Sequence, residues 1–368
     1  MIYVDRSAVE CPSILTGEFV QKELDRARSH FAQHRMRRAQ QRFVFKRYYR
    51  RPPVIEALVA LFHEKCAFCE RKPREEPLGV GHYRPFDGTV DQRGRYYPDH
   101  YWWLVYEWEN LYLVCDDCLR MIGNRFPIAG TRGRVGTALA ELRRESPLLL
   151  DPCNDDPEKD LVYWPDGSVA SETRRGTITI ETVGLNRRQL IHERRAVWQM
   201  VQRELRMLSR SDVKASPRTE WLARLIAPEN DFAGLRRQLV RDRMVSRQSL
   251  VRRLSRAEGQ VGRFFDELSE SGSPILERRR ATKGQYERFQ REQEDYTLAQ
   301  EEAAPPESRL AAEKYFLRTR YVERIQIMNL RIIHDLTIDL SQRSWGDNAP
   351  WFVLLGENGT GKSTVLQA

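Results

Sequence analysis

No stretch of this 368-residue sequence approaches the roughly 20 consecutive apolar residues that a membrane helix requires, and the N-terminus lacks the apolar core of a signal peptide. A soluble, cytoplasmic protein without a membrane partner is therefore expected. Cysteine is scarce. Six residues in a chain this long do not make a disulfide framework, and four of the six fall in two tight pairs, which points to a metal in a reducing compartment. Acidic residues are missing altogether from Arg26 through Ile55. That stretch holds Arg26, Arg28, Arg35, Arg37, Arg38, Arg42, Lys46, Arg47, Arg50 and Arg51, with Phe43, Phe45, Tyr48 and Tyr49 among the last of these. Such a run repels itself unless an anion neutralises it, so phosphate contact is expected, against the alternative of a solvated helix face. The net charge of +9 favours the same kind of partner, an anion such as nucleic acid; DNA is the expected nucleic acid, though charge alone does not distinguish it from RNA.

What is present is concentrated between Cys66 and Cys118. Cys66-Ala67-Phe68-Cys69 and Cys115-Asp116-Asp117-Cys118 are separated by 45 residues, and each pair can turn both sulfurs toward one ion. Four thiolates from two such pairs suit a structural, tetrahedral Zn²⁺. Cys11 and Cys153 are left over, as ligands or as small buried apolar residues. His63, beside the first pair, reads as helix surface or as a donor behind the ligands. Between the pairs lie Gly81-His82-Tyr83-Arg84-Pro85 and Trp108-Glu109-Asn110-Leu111. A histidine that is neutral near physiological pH can take a proton from water.

That order of motifs resembles the zinc-stapled branch of the HNH endonucleases, small ββα-metal domains that hydrolyse phosphodiester bonds. The resemblance implies that His82 is the general base, that Asn110 fixes the geometry of the histidine and its loop, and that a divalent ion, Mg²⁺ or another, stabilises the leaving oxygen. It extends through Gly123-Asn124-Arg125-Phe126-Pro127, Pro147-Leu148-Leu149-Leu150-Asp151-Pro152, Asp155-Asp156-Pro157 and Gly184-Leu185-Asn186, which look like the HNH branch beside or fused to ABC-type ATPases in bacterial anti-phage systems of the Septu type. Four positions depart from it. Gly81 stands where the family has Asp or Glu, Leu119 where it has His or Asn, Ile122 where it often has Lys, and Asp160 where it usually has His. Neither glycine nor leucine offers a side-chain lone pair to a hard cation. Asp87, Asp116 and Asp117 could rebuild the ion site in a shifted position; otherwise the module binds nucleic acid without cutting it.

Along the rest of the chain, helix is expected from Glu18 with Phe19, Leu24, Ala27 and Phe31 on one face, ended by Pro52-Pro53, then a short helix over Val54–Glu64. Leu161–Trp164 and Thr177–Val183 read as strands, with a turn at Pro165-Asp166-Gly167. From Asn186 to Arg320 the pattern is charged and helical, broken near Pro217, Pro228, Pro274 and Pro306, without sustained heptads. Val322–Ile333 and Leu336–Leu340 read as strands around a turn near His334-Asp335. Trp351–Leu355, a buried strand, leads into Gly356-Glu357-Asn358-Gly359-Thr360-Gly361-Lys362-Ser363-Thr364, a complete phosphate-binding loop. There Gly356, Asn358, Gly359 and Gly361 allow backbone N–H groups near the phosphates, Lys362 reaches the β- and γ-phosphates, and Ser363 with Thr364 opens the helix, Ser363 meeting Mg²⁺ of bound ATP. The wording resembles the start of SMC- and RecF-like ABC ATPases, which implies dimerisation through that domain. The chain is expected to be the N-terminal part of a longer protein.

The expected fold is α+β: a basic helical N-terminal region (1–62), an HNH-like zinc-binding domain (63–185), a charged helical connector (186–318) and the truncated start of an α/β P-loop ATPase domain (319–368). The leading functional reading is an HNH endonuclease module fused to an SMC/RecF-like ATPase in anti-phage defence. Its rivals are a catalytically degenerate DNA-binding adaptor for the ATPase and a RecF-like repair factor.

Overall fold

The computed structural model describes residues 1–303 apart from 41–42, 74–76, 211–214, 245–250, 253, 256–258 and 272–273, together with 324–330 and 333–339. Its described residues mix helices with short strands. The centre is an antiparallel pair, β1 (Gly79–His82) against β4 (Leu111–Val114), in the register Gly79↔Val114 to His82↔Leu111. Two very short strands, β2 (Thr89–Val90) and β3 (Tyr96–Tyr97), lie between them in sequence. All four residues of β4 are buried, as a continuous apolar run demands when both strand faces are covered. Tyr112 carries much of that cover, with its ring centroid 5.6 Å from Phe62 and 5.9 Å from Phe68.

Before this pair come α1 (Glu18–Phe31), α2 (Arg35–Gln40) and α3 (Pro52–Leu61). Pro52-Pro53 does not end a helix running from Glu18; it begins α3. A proline has no N–H to lose in the first turn, and its fixed φ is already helical. The chain from 43 to 47 is irregular, and Tyr48–Arg50 forms a single 3₁₀ turn. Val54, Leu58 and Leu61 of α3 point inward together, and burying each contributes roughly 1.5–3 kcal/mol. In α1 the buried residues are Val20, Glu23 and Ala27, whereas Phe19, expected on the apolar face, is 72% exposed. Glu23 takes part in that face because its carboxylate accepts from Arg26 (3.0 Å) and from the Lys46 N–H (3.0 Å).

After β4 come α4 (Asp116–Ile122) and α5 (Pro157–Asp160), then β5 (Leu161–Tyr163) paired antiparallel with β6 (Val169–Ser171) through the expected turn, where Gly167 adopts φ +94°. Thr177–Val183 is not a strand. It belongs to α6 (Arg174–Val183), because Thr173 caps the first turn by accepting from the Gly176 N–H and Gly184 closes the last at φ +65°. The Thr-Ile-Thr-Ile alternation mimics a strand, but Gly176, Thr179, Thr182 and Val183 are buried at helical spacing, and caps plus burial override β-propensity.

Helices continue as α7 (Arg188–Arg210), α8 (Ala215–Ile226) and α9 (Ala233–Met244), then Gly259–Ser271 and Pro274–Ala303, with boundaries at Pro228 and Pro274 as expected. α9 closes the open edge of β5. Gln238 accepts from the Tyr163 N–H and donates to the Tyr163 carbonyl, both at 2.8 Å. Glu158 of α5 binds Arg237 (3.1 Å) and Arg241 (2.7 Å) of the same helix. Residues Met1–Gln92 and Tyr97–Phe289 form one packed unit; β7 (Arg324–Leu330) and β8 (Ile333–Asp339) belong to a second. Those two strands pair antiparallel, Arg324 opposite Asp339 and Leu330 opposite Ile333. His334 and Asp335, expected in a turn, therefore lie within β8, because the pairing already brings Leu330 and Ile333 face to face. No helix among the described residues is long and apolar enough to cross a membrane.

Candidate metal centre and adjoining site

β4 runs straight into Cys115, which caps α4, so Cys118 stands in the first turn of that helix. The other pair sits on a tight turn in which the Glu70 N–H donates to the Cys66 carbonyl (2.9 Å) and the Cys66 N–H to the Arg71 carbonyl (3.1 Å). The Ala67 N–H donates to the Leu113 carbonyl (2.8 Å), which fastens this turn to β4. The four Sγ atoms lie within 4.8 Å of one another, all on buried residues, and Cys69 and Cys115 are 3.7 Å apart. Thiolates bound at about 2.3 Å in a tetrahedron stand about 3.8 Å apart, so the donor set fits Zn²⁺. Hydrogen bonds from Cys118, Cys66 and Cys69 hold the Cys115 thiol well below its ordinary range, whereas burial pushes Cys66 up. Cys153 is buried beside Arg6, with its thiol raised to about 11 by burial, and Cys11 is exposed; neither joins the cluster.

A cation that sequence reasoning missed faces these sulfurs. Arg187, just before α7, directs its guanidinium at Cys118 (3.5 Å from both Nη1 and Nη2) and at Cys115 (3.7 Å from Nη2). A buried four-thiolate site with a divalent ion carries two net negative charges, and an adjacent guanidinium offsets part of that cost. The only sequence signal was an arginine directly after Gly184-Leu185-Asn186.

His82 ends β1 on the far side of the pair. Its Nε2 lies 3.0 Å from the Val105 carbonyl, which fixes Nε2–H as the donor and leaves Nδ1 as the basic nitrogen. Tyr49 stands edge-on to the ring at 4.8 Å and Phe86 packs at 4.5 Å, while the residue keeps partial exposure. Burial among these groups lowers the imidazole to about 4; the Val105 bond opposes that shift and Arg50 adds to it. The Asn110 side chain hydrogen-bonds to Arg84 and Leu104, not to His82. It is buried, and its amide accepts from the Arg84 N–H (2.8 Å) and donates to the carbonyls of Arg84 (3.0 Å) and Leu104 (3.1 Å). These bonds tie the exit of β1 to the residue preceding Val105. Arg84 itself is buried against Glu145 (3.3 Å), and so serves the core.

The two non-ligating positions meet each other. A Cβ on Gly81 would lie 2.8 Å from Val114 Cγ2 and 3.0 Å from Leu119 Cδ2. Leu119 thus covers the place beside His82 from which a carboxylate would have to project. Of the acids expected to rebuild an ion site, Asp87 lies near enough to Tyr49 to act on it electrostatically. Asp117 is engaged by Arg120 (2.5 Å), Arg71 (3.4 Å) and Arg187 (3.8 Å), and among the described residues the four cysteines are the only group of three or more ligating side chains within reach of one ion. Gly356, Asn358, Gly359, Gly361, Lys362, Ser363 and Thr364 lie outside the described residues.

Comparison with known proteins adds three findings. The AAA domain family model matches residues 324–368, which include the phosphate-binding loop, so the start of an ATPase-type domain lies there. The Septu protein PtuA of Bacillus mycoides (strain KBAB4) is 29% identical over 328 residues, covering 83% of this chain and 44% of that protein. The Septu protein PtuB of the same strain is 33% identical over 158 residues, covering 40% of this chain and 52% of that protein. The chain spans about half the length of the curated relatives it matches.

Proposed function

We propose that this chain carries an HNH-type nucleic-acid endonuclease module joined to the start of an SMC/RecF-like ATPase, and that the whole protein acts in Septu-type anti-phage defence. The observation that carries the nuclease reading is His82, whose Nε2 is anchored on the Val105 carbonyl at the end of a strand stapled to the four-cysteine cluster. With Nε2–H committed, Nδ1 takes a proton from water as that water attacks phosphorus. Asn110 holds the backbone on both sides of this contact and acts as a positioning residue. Cys66, Cys69, Cys115 and Cys118 would hold Zn²⁺, which supplies rigidity and no chemistry. The similarity to Septu proteins and the AAA domain match support the defence setting and an ATPase-type domain; in this reading Lys362 and Ser363 bind ATP and Mg²⁺, and the domain pairs two copies.

The contact between Leu119 and Gly81 favours a second reading, a DNA-binding adaptor that has lost the hydrolytic ion. Nicking of supercoiled plasmid by the full-length protein with Mg²⁺, Mn²⁺ or Ni²⁺, with and without ATP, separates the two. Metal-dependent nicking that disappears in His82→Ala while zinc content is unchanged supports the nuclease. DNA binding with no nicking under any of these conditions supports the adaptor.

A further inference from the structure

The basic N-terminal stretch divides into cations that are already satisfied and cations that are not. Arg26 bonds Glu23 (3.0 Å) and the Val44 carbonyl (2.8 Å), Arg28 bonds Asp25 (2.6 Å), and Arg38 grips both oxygens of Asp99, one at 2.9 Å. Arg47, Arg50 and Arg51 are exposed, and no acidic side chain among the described residues pairs with them. Three unpaired guanidinium groups within five consecutive positions repel one another, and an exposed anion relieves that repulsion.

The backbone carrying these three is fixed in place. The Lys46 N–H donates to Glu23, the Lys46 carbonyl accepts from the Tyr106 hydroxyl (2.6 Å), and Pro52 starts α3 immediately after Arg51. In the 3₁₀ turn Tyr48–Arg50, Tyr49 is buried with its ring edge-on to His82, and Arg50 lies over that same ring at 5.9 Å from its centroid. One residue therefore separates the histidine from a line of unpaired cations. Guanidinium groups on a rigid backbone match phosphate oxygens bidentately at low entropic cost.

We infer that Arg47, Arg50 and Arg51 form a phosphate clamp that seats the backbone of a DNA strand beside His82. The inference rests on the nucleic-acid reading proposed above, and it assigns the docking edge that both the nuclease and the adaptor versions of that reading need. The clamp contacts phosphate and so contributes affinity without sequence preference.

The test is binding of a fluorescein-labelled DNA duplex to the full-length protein, followed by anisotropy from about 50 to about 200 mM salt. The variant Arg47→Gln/Arg50→Gln/Arg51→Gln is compared with Lys22→Gln/Arg28→Gln, whose charges are paired with Glu18 and Asp25. Loss of three phosphate contacts lowers the slope of log affinity against log salt by about 2.7 and weakens low-salt binding by at least about tenfold, whereas the paired-charge variant shifts the slope by less than about 1. Zinc content and melting temperature equal to those of the parent protein assign the effect to the surface. A slope unchanged in the triple variant, with the parent binding DNA, overturns the clamp and leaves the nucleic-acid reading standing. A parent protein that binds no DNA overturns both.

Discussion

Leu119 shares with Val114 the space that any side chain at position 81 would enter, since a Cβ built on Gly81 approaches Leu119 Cδ2 to 3.0 Å and Val114 Cγ2 to 2.8 Å. The two departures from the HNH pattern are thus one steric unit, and changing either alone is costly. Gly81→Asp forces overpacking worth about 1–3 kcal/mol and buries a carboxylate without a partner. Gly81→Asp/Leu119→Asn removes the Leu119 part of the clash, leaves the Val114 part, and offers two oxygen-bearing side chains. The single variant should melt several degrees below the parent, and the double variant should recover part of the loss and bind Mn²⁺ by calorimetry. Equal melting of parent and single variant would refute the steric coupling.

Asn110 should act through structure first. Its three hydrogen bonds are buried, and Asn110→Ala leaves the Arg84 N–H and the Arg84 carbonyl unpaired, at a cost of about 3 kcal/mol, while the Leu104 carbonyl keeps the Glu107 N–H at 3.2 Å. Asn110→Asp retains an acceptor for the Arg84 N–H but turns a carboxylate oxygen on the carbonyls of Arg84 and Leu104. Urea denaturation should rank parent above both variants. An Asp variant as stable as the parent would show that the two donated bonds contribute nothing.

Protonation of His82 should be visible in acid stability. Its folded pKa of about 4 lies below the ordinary value of 6.5, so between these limits the unfolded chain holds more protons. Stability from this group is complete above about pH 6.5 and declines as pH falls toward 4, by at most about 3 kcal/mol. Arg50 and the ring of Tyr49 face the imidazole and add to the same direction. Urea midpoints measured across this range should fall more steeply for the parent than for His82→Gln; parallel curves would remove the assignment.

Arg187 should govern how firmly zinc is held. Arg187→Gln removes the cation facing Cys115 and Cys118, and partners of metal ligands commonly change affinity by about 10- to 100-fold. Chelator competition should show faster zinc loss from Arg187→Gln, with Arg187→Lys in between because a point charge cannot reach both sulfurs as a planar fork does. Zinc loss at the parent rate in both variants would reduce Arg187 to a packing role.

Much of the site was legible because its signals are local. Two Cys-x-x-Cys turns announce their own convergence, whereas His82 and Asn110 stand out through the resemblance to the HNH order of motifs. The identity of what surrounds them was not legible, since Val105, Tyr49, Phe86 and Arg187 reach the site through tertiary packing. Local patterns also misled. Thr177–Val183 alternates like a strand, yet Thr173 and Gly184 cap it as a helix, and Pro52-Pro53 terminates helices as readily as it starts them. Proximity of Gly81 to Leu119 requires the register of β1 on β4 and the pitch of α4, which neither segment reveals alone.

Gln238 gives β5 a counterfeit neighbour. One side-chain amide satisfies the N–H and the carbonyl of Tyr163 as a third strand would, so a two-stranded sheet ends without an open ladder. The residue that performs this sits in a helix some 75 positions away. A fragment cut after α6 would bare that ladder and invite edge-to-edge association, which makes the helices beyond the motifs a solubility device for the sheet they cover.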